Sequence, residues 1–279
     1  MEPIVFRKLS QIARDTAGIS LRPGKETLLA SRIGKRLRAL QLDNPVEYLQ
    51  YLEHDDSGEE MIQFLDAIST NYTRFMREAE HFVQLRAAAE RWRAQRRSTI
   101  RLWCAASSTG EEPYTLAMVL HDVFEGFDAD IRILATDIST RALATAREGV
   151  YPAEVVEPLP SRLLSRYFSA ERDEASGEKR WRVIDTLKRM VVFKRLNLAT
   201  PPFPMKGPLD SVFCRNVMIY FEQRERAALI SEIERLLAPG GLLYIGHAET
   251  LNNIATKLKR VAPSAYEKCA DDDDPEGEP

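Results

Sequence analysis

The 279-residue sequence is poor in cysteine and in glycine fingerprints and has no long apolar run, and each shortage closes off a class of protein. Its three cysteines, Cys104, Cys214 and Cys269, stand far apart. An odd count without metal-type spacing gives neither a disulfide framework nor a zinc knuckle, and it fits a reducing, cytoplasmic location. Cys104 and Cys214 fall in apolar strand-like runs, where a free thiol behaves as a small hydrophobe. No stretch of about 18 apolar residues occurs, so no membrane insertion is expected. The opening MEPIVFRKLSQIARD lacks an apolar core ahead of a cleavage site and does not read as a secretory signal. The four histidines, His54, His81, His121 and His247, form no ligand pair along the chain, and no metal is expected. A GxGxxG turn, a GxxxxGK loop and a Ser-His-Asp or Cys-His arrangement are all missing. The chain therefore lacks the tools of hydrolysis and phosphoryl transfer, and it suits a reaction whose chemistry a bound cofactor carries.

What remains is the composition of a soluble globular protein, with 44% hydrophobic and 29% charged residues. The net charge of −3 is unevenly spread. Met1 to Arg38 carries nine Lys/Arg against three Asp/Glu, while Asp43 to Asp66 carries eight Asp/Glu and no Lys/Arg. The final DDDDPEGEP (271–279) is expected to be a disordered, solvated acidic tail.

Up to about residue 95 the pattern is helical. KETLLASRIGKRLRAL aligns Leu29, Ile33, Leu37 and Leu40 on one face, leaving Arg32, Lys35, Arg36 and Arg38 on the other. Further helices are predicted over Pro45–Glu53, capped by Asn44, and over Glu59–Ile68. From Thr99 the rhythm becomes strand–helix alternation. Strands are predicted at Ile100–Ala105, Ile131–Thr136, Met190–Lys194, Leu209–Cys214 and Leu242–Gly246, and helices at Pro113–Phe124, Thr140–Glu148 and Gln223–Leu237. Such alternation implies a parallel sheet covered on both faces. Pro239-Gly240-Gly241 ends the last helix and restarts the chain as a strand. Between Tyr151 and Leu187 the alternation breaks into a hairpin-like insert with a polar loop at Asp173–Lys179. It reads either as a surface elaboration or as a docking edge for an extended peptide.

The most informative stretch is RLWCAASSTGEEPYTLAM, from Arg101 to Met118. A strand, a turn of small residues and a helix start let the backbone approach a ligand and aim free N–H groups at it. Asp137 closes the next strand-like run, placed either to accept ribose hydroxyls or to cap the following helix. Asn197 and Arg215-Asn216 follow two further strands, where ligands of such sheets collect. Asn71-Tyr72-Thr73, ahead of Arg77, either folds over the same crevice or caps a helix starting near Phe75.

Five blocks carry a resemblance: TNYTRFMREAEHF (70–82), CAASSTGEEPYTLAM (104–118), ATDISTRALATAREGVY (135–151), VFCRNVMIYF (212–221) and PGGLLYIGHAE (239–249). In this order the chain resembles the CheR-type chemotaxis receptor glutamate methyltransferases, over almost its whole length. The resemblance implies an α/β fold: a Rossmann-like domain dependent on S-adenosylmethionine (SAM) over 99–270, with a small antiparallel β-subdomain inserted at about 152–189. It implies an N-terminal helical domain over 1–85, docking receptor and covering the cofactor, and a linker helix over 86–98. The implied activity is that of a protein-glutamate O-methyltransferase. It esterifies glutamate side chains in the cytoplasmic domains of methyl-accepting chemoreceptors, leaves S-adenosylhomocysteine, and serves adaptation in chemotaxis-type signalling. The partners implied are those receptors, not nucleic acid, and a monomer suffices.

Carried over by motif position, the cofactor contacts are Asn71, Thr73, Arg77, Glu112, Asp137, Asn197, Leu198, Arg215 and Asn216. Arg77 and Tyr220 stand as catalytic residues, Tyr220 near the transferred methyl. An acceptor carboxylate with a pKa near ~4.3 is already ionised at neutral pH, so in-line displacement needs no base. The basic face of Arg32, Lys35, Arg36 and Arg38 then reads as a docking surface for glutamate-rich receptor helices, against the plainer reading of a solvated face. Two rivals remain open. One is a methyltransferase for a small carboxylate or RNA, weakened by the acidic chain and by few aromatics among the basic residues. The other is a SAM-sensing module without turnover.

Overall fold

The computed structural model describes residues 1–173 and 176–269. The expected acidic tail at 271–279 lies outside the described residues. The N-terminal part is four helices: α1 (Pro3–Ala17), α2 (Glu26–Leu40), α3 (Pro45–Glu53) and α4 (Glu59–Ile68). Asn44 caps α3 as the sequence predicts, its side-chain oxygen accepting from the N–H groups of Val46 and Glu47. Leu29 and Ile33 of α2 are buried with Leu9, Tyr48, Phe64 and Leu65 in a core of their own, and Leu37 and Leu40 pack against it.

The linker helix expected over 86–98 is the later part of one longer helix, α5 (Glu80–Ala94). Its Phe82, Leu85, Ala88, Ala89 and Trp92 join the core of the α/β part rather than that of α1–α4. The elements that follow alternate. They are β1 (Thr99–Cys104), α6 (Glu111–Val123), β2 (Asp130–Asp137), α7 (Thr140–Glu148), β3 (Val150–Pro152), α8 (Ala153–Val156), α9 (Ser161–Tyr167), β4 (Phe168–Arg172), β5 (Lys179–Val183), α10 (Asp185–Met190), β6 (Val191–Arg195), β7 (Leu209–Cys214), α11 (Gln223–Leu236), β8 (Leu237–Ile245), β9 (Leu258–Ala262) and β10 (Ala265–Lys268).

The main sheet runs β6-β2-β1-β7-β8-β10-β9. The first five strands are parallel, and β10 pairs antiparallel with both β8 and β9. One apolar cluster, with α5 and α6, covers one face, and a second, with α11, covers the other. The expected doubly covered sheet is present, and the β9–β10 hairpin is an addition that its short polar-flanked runs concealed. The strand order reverses between β1 and β7, which opens a crevice at the carboxyl ends of the parallel strands. The insert is a separate antiparallel sheet, β3-β5-β4, so Val150–Pro152 adds a third strand to the expected hairpin.

Two local differences have clear causes. Helix α6 starts at Glu111, two residues before the predicted Pro113, because a proline in the first turn forfeits no helical hydrogen bond. Strand β8 is paired from Leu237 and takes in Pro239-Gly240-Gly241 as an irregularity rather than a preceding turn: Leu209 pairs Leu237, and Ser211 then pairs Leu242. A Cβ on Gly241 would meet the Ala238 carbonyl oxygen at 2.7 Å, so only glycine fits that crowded passage.

Candidate functional site

A cavity of about 550 Å³ opens at the crevice, bounded by the α1–α2 connection, the 68–77 segment and the ends of β1, β2, β6 and β7. All of Asn71, Thr73, Arg77, Glu112, Asp137, Asn197, Leu198, Arg215, Asn216 and Tyr220 line it. Sequence positions spread over some 150 residues thus converge because each parallel strand ends at the same edge.

The turn after β1 is held open by backbone geometry. Gly110 has φ +101°, and a Cβ there would lie 2.8 Å from the Tyr151 hydroxyl and 2.9 Å from the Ala146 Cβ. Ser108 has φ +47°, a left-handed conformation in a residue with a side chain. Its N–H donates to Asp137 Oδ2 at 2.8 Å, and its hydroxyl donates to the Asn71 carbonyl at 3.0 Å. Met76, Glu78 and Asn216 also have φ near +55°, so strained backbone gathers around the cavity.

Asp137 ends β2, and its Oδ1 accepts from the Ser139 N–H at 2.9 Å. The cap of α7 is Ser139, whose hydroxyl oxygen accepts from the Ala142 N–H. Asp137 is therefore not the helix cap. A carboxylate has about four acceptor positions, and two N–H groups leave the others for a ligand. Burial pushes its carboxyl above the usual range, against the pull of the Ser139, Ser108 and Ile138 N–H groups. The other capping alternative also fails: no helix follows at Phe75, and α5 begins at Glu80.

Behind the cavity lies a buried ion network. Arg215, 4% exposed, donates from Nη1 to Glu112 Oε2 at 2.6 Å and from Nη2 to Glu78 Oε2 at 3.0 Å and to the Arg77 carbonyl. Burial would lower its pKa, but the Glu112 and Glu78 carboxylates reverse the sign and raise it. Glu78 Oε1 also accepts from the Asn216 amide at 3.1 Å. Burial works to raise the Glu78 carboxyl, yet the Asn216 hydrogen bond and the Arg215 charge leave it lowered. Glu249 accepts from the N–H groups of Asn216 and Gly246 and holds the Asn216 turn.

Sequence reasoning missed Glu78 and Glu249. Glu78 adjoins Arg77, but only the positive φ turns its carboxylate toward Arg215. Arg22 and Lys25 were also missed; they line the cavity and are exposed, where Glu112 and Asp137 are buried. The cavity thus has an acidic buried wall and a basic rim of Arg22, Lys25, Arg32 and Arg77. Arg77 donates to the Tyr72 carbonyl at 2.9 Å, and its guanidinium sits 5.3 Å over the Tyr72 ring. Asn197 donates to the Thr16 carbonyl at 2.6 Å, and Ser20 N–H donates to the Tyr220 carbonyl at 3.1 Å. These bonds tie the helical domain down over the crevice.

The four residues of the basic face do not stand alike. Lys35 and Arg38 are exposed. Arg36 pairs with the buried Glu60, and Arg32 donates to the carbonyls of Ile68 and Ser69 and to Thr70. The plainer reading of a solvated face therefore does not describe Arg32 and Arg36. Arg32, Lys35 and Arg36 also line a second cavity of about 530 Å³, with Asp66 and Arg141, between α2, α4 and α7. His81 and His247, 166 positions apart in the sequence and expected to form no ligand pair, have ring centroids 5.0 Å apart.

Residues 71–266 match the family model described as "CheR methyltransferase, SAM binding domain", and residues 4–69 match "CheR methyltransferase, all-alpha domain". The chain is 38% identical over 261 residues to chemotaxis protein methyltransferase 2 of Pseudomonas aeruginosa, covering 94% of this chain and 91% of that one. It is 37% identical to the chemotaxis protein methyltransferases of Salmonella typhimurium and Escherichia coli, each over 94% of this chain and 88% and 89% of theirs. Among the described residues no helix is long and apolar enough to cross a membrane.

Proposed function

The chain belongs to the CheR methyltransferase family, and from that premise we propose that it esterifies glutamate side chains in the cytoplasmic domains of chemoreceptors, for adaptation in chemotaxis-type signalling. The observation that carries this reading is the division of charge in one cavity: the buried carboxylates of Glu112 and Asp137 on its wall, with Arg215 paired to Glu112, and on its rim the exposed Arg22 and Lys25 with the half-buried Arg32 and Arg77. A cationic donor with free hydroxyls suits the wall, and an anionic acceptor suits the rim. The cavity volume also lies within the ~300–1,000 Å³ of small-molecule sites. When bound, SAM supplies an electrophilic methyl group on a sulfonium.

In this reading Asp137 accepts the ribose hydroxyls with the acceptor positions left by Ser108 and Ser139. Glu112, held by Arg215, sets the charge of the wall beside the cationic end of the donor. Asn71, Thr73, Asn197, Leu198 and Asn216 complete the cofactor contacts. Arg77 orients the incoming carboxylate at the rim, and Tyr220 flanks the reacting centre. The acceptor is ionised at neutral pH, so these residues have to position it, at roughly 3–3.5 Å from the methyl, rather than deprotonate it. Desolvation of the acceptor in the cavity helps, because charge is neutralised as the bond forms. Lys35 and Arg38, with Arg32 and Arg36 behind them, give a glutamate-rich receptor helix a complementary surface that chiefly raises the encounter rate.

The test is transfer. Receptor cytoplasmic fragments incubated with methyl-labelled SAM acquire label only when the chain is present. SAM binding without transfer to any receptor would instead identify a sensor.

A further inference from the structure

We propose that Glu78, His81 and His247 form a binding site for a divalent transition metal of the zinc type, set directly behind the cofactor cavity. Their ligating atoms all lie within 4.8 Å of one another, although they come from the segment before α5, from α5 and from the turn after β8. Two imidazoles and one carboxylate are a ligand set that first-row divalent metals accept, with further positions open to water or another side chain.

The second observation is independent of that proximity. His81 is fully buried, yet neither ring nitrogen has a hydrogen-bond partner among the described residues. An imidazole sealed away from water with both nitrogens unpaired is costly, and such an orphan asks for an explanation. Its Nδ1 is 3.6 Å from Glu78 Oε2, just beyond hydrogen-bonding reach, and its ring meets that of His247 edge-on at 5.0 Å. Burial, helped by the Arg215 charge, pushes the His81 pKa down to about 4, so the ring is neutral at physiological pH with a lone pair free to ligate.

Zinc–ligand distances of about 2.0–2.2 Å put tetrahedral ligands roughly 3.4 Å apart, so the widest separation in the cluster must shorten by up to about 1.4 Å. His247 can supply that movement: it sits on a turn with its side chain 48% exposed. Glu80, its carboxylate 4.0 Å from His247 Nε2 and 71% exposed, stands at the solvent side of the site, beside the path by which a metal enters. Because Glu78 also holds Arg215 and Asn216, the site shares a carboxylate with the wall of the cofactor cavity.

The experiment titrates the purified full chain with Zn2+ by calorimetry and with Co2+ by visible absorption. The expected result is one equivalent bound with micromolar or tighter affinity, weakened at least tenfold both in His247→Ala, a surface change that spares the fold, and in His81→Gln. Absence of stoichiometric binding would overturn the proposal. So would equal affinity in wild type and His247→Ala, which would place the metal on other histidines, the cysteines or the acidic chain end.

Discussion

Arg215 and Glu112, 103 positions apart in sequence, meet in a charge-assisted hydrogen bond of 2.6 Å that is shut off from solvent. One residue follows β7 and the other opens α6, so the bond closes the crevice between the two strands on either side of the order reversal. A buried charge tolerates the loss of a partner poorly, since the remaining charge stays desolvated. Glu112→Ala leaves Arg215 with Glu78 as its carboxylate partner and the Arg77 carbonyl. The expected cost is about 3 kcal/mol, read as a fall in Tm of roughly 10 °C by differential scanning calorimetry. An unchanged Tm would mean that the pair carries no structural load.

Arg77 is half-buried at the rim, and its guanidinium bonds the Tyr72 carbonyl and sits over the Tyr72 ring. Arg77→Ala should remove most of the methyl-transfer activity while leaving the Tm within a few degrees of wild type. Near-wild-type turnover in the folded variant would take Arg77 out of the site.

Asp137 offers a ligand the acceptor positions its two backbone bonds leave free. Asp137→Asn should weaken binding of S-adenosylhomocysteine by about 10- to 100-fold, the worth of a hydrogen bond to a charged group. Calorimetric titration measures it, and an unaltered Kd would assign the ribose contact elsewhere.

The convergence of these residues was legible in sequence and their mutual bonding was not. Glu112, Asp137, Asn197 and Arg215 each follow an apolar strand-like run, and parallel strands must end at one edge. Glu78 was hidden, because its carboxylate reaches Arg215 only through a backbone turn at positive φ that residue types do not announce. The His81–His247 approach was hidden for a simpler reason: no local spacing links a helix to a turn 166 positions later. The same limit applies to the basic face. Helical periodicity placed Arg36 with Lys35 and Arg38, while its ion pair with Glu60 depends on how α2 and α4 cross.

That ion pair sharpens the docking test. Reversing Arg36 would damage the fold by stranding Glu60, so the clean variant is Lys35→Glu with Arg38→Glu, both exposed. The Michaelis constant for receptor fragments should rise about three- to tenfold, more at low salt than at high, with the SAM constant unchanged. A change in cofactor affinity without a change in receptor kinetics would contradict the assignment.

His81 makes stability depend on pH. Its folded pKa of about 4 lies below the ordinary value of 6.5, so the unfolded chain binds the proton more readily. Metal-free protein should therefore keep this contribution above pH 6.5 and lose it as pH falls toward 4, at up to about 1.4 kcal/mol per pH unit. Chemical denaturation between pH 7 and 4.5, compared with His81→Gln, measures the slope. Parallel curves for the two proteins would contradict it.

The central claim, methyl transfer to a glutamate carboxylate, is tested most directly by the chemistry of the product. Receptor fragments labelled from methyl-labelled SAM are treated with mild base, and their modified residues are mapped by mass spectrometry. An ester on glutamate releases the label as methanol and maps to glutamate side chains, which is the predicted result. Label that survives base, or that maps to any other residue type, would contradict the account.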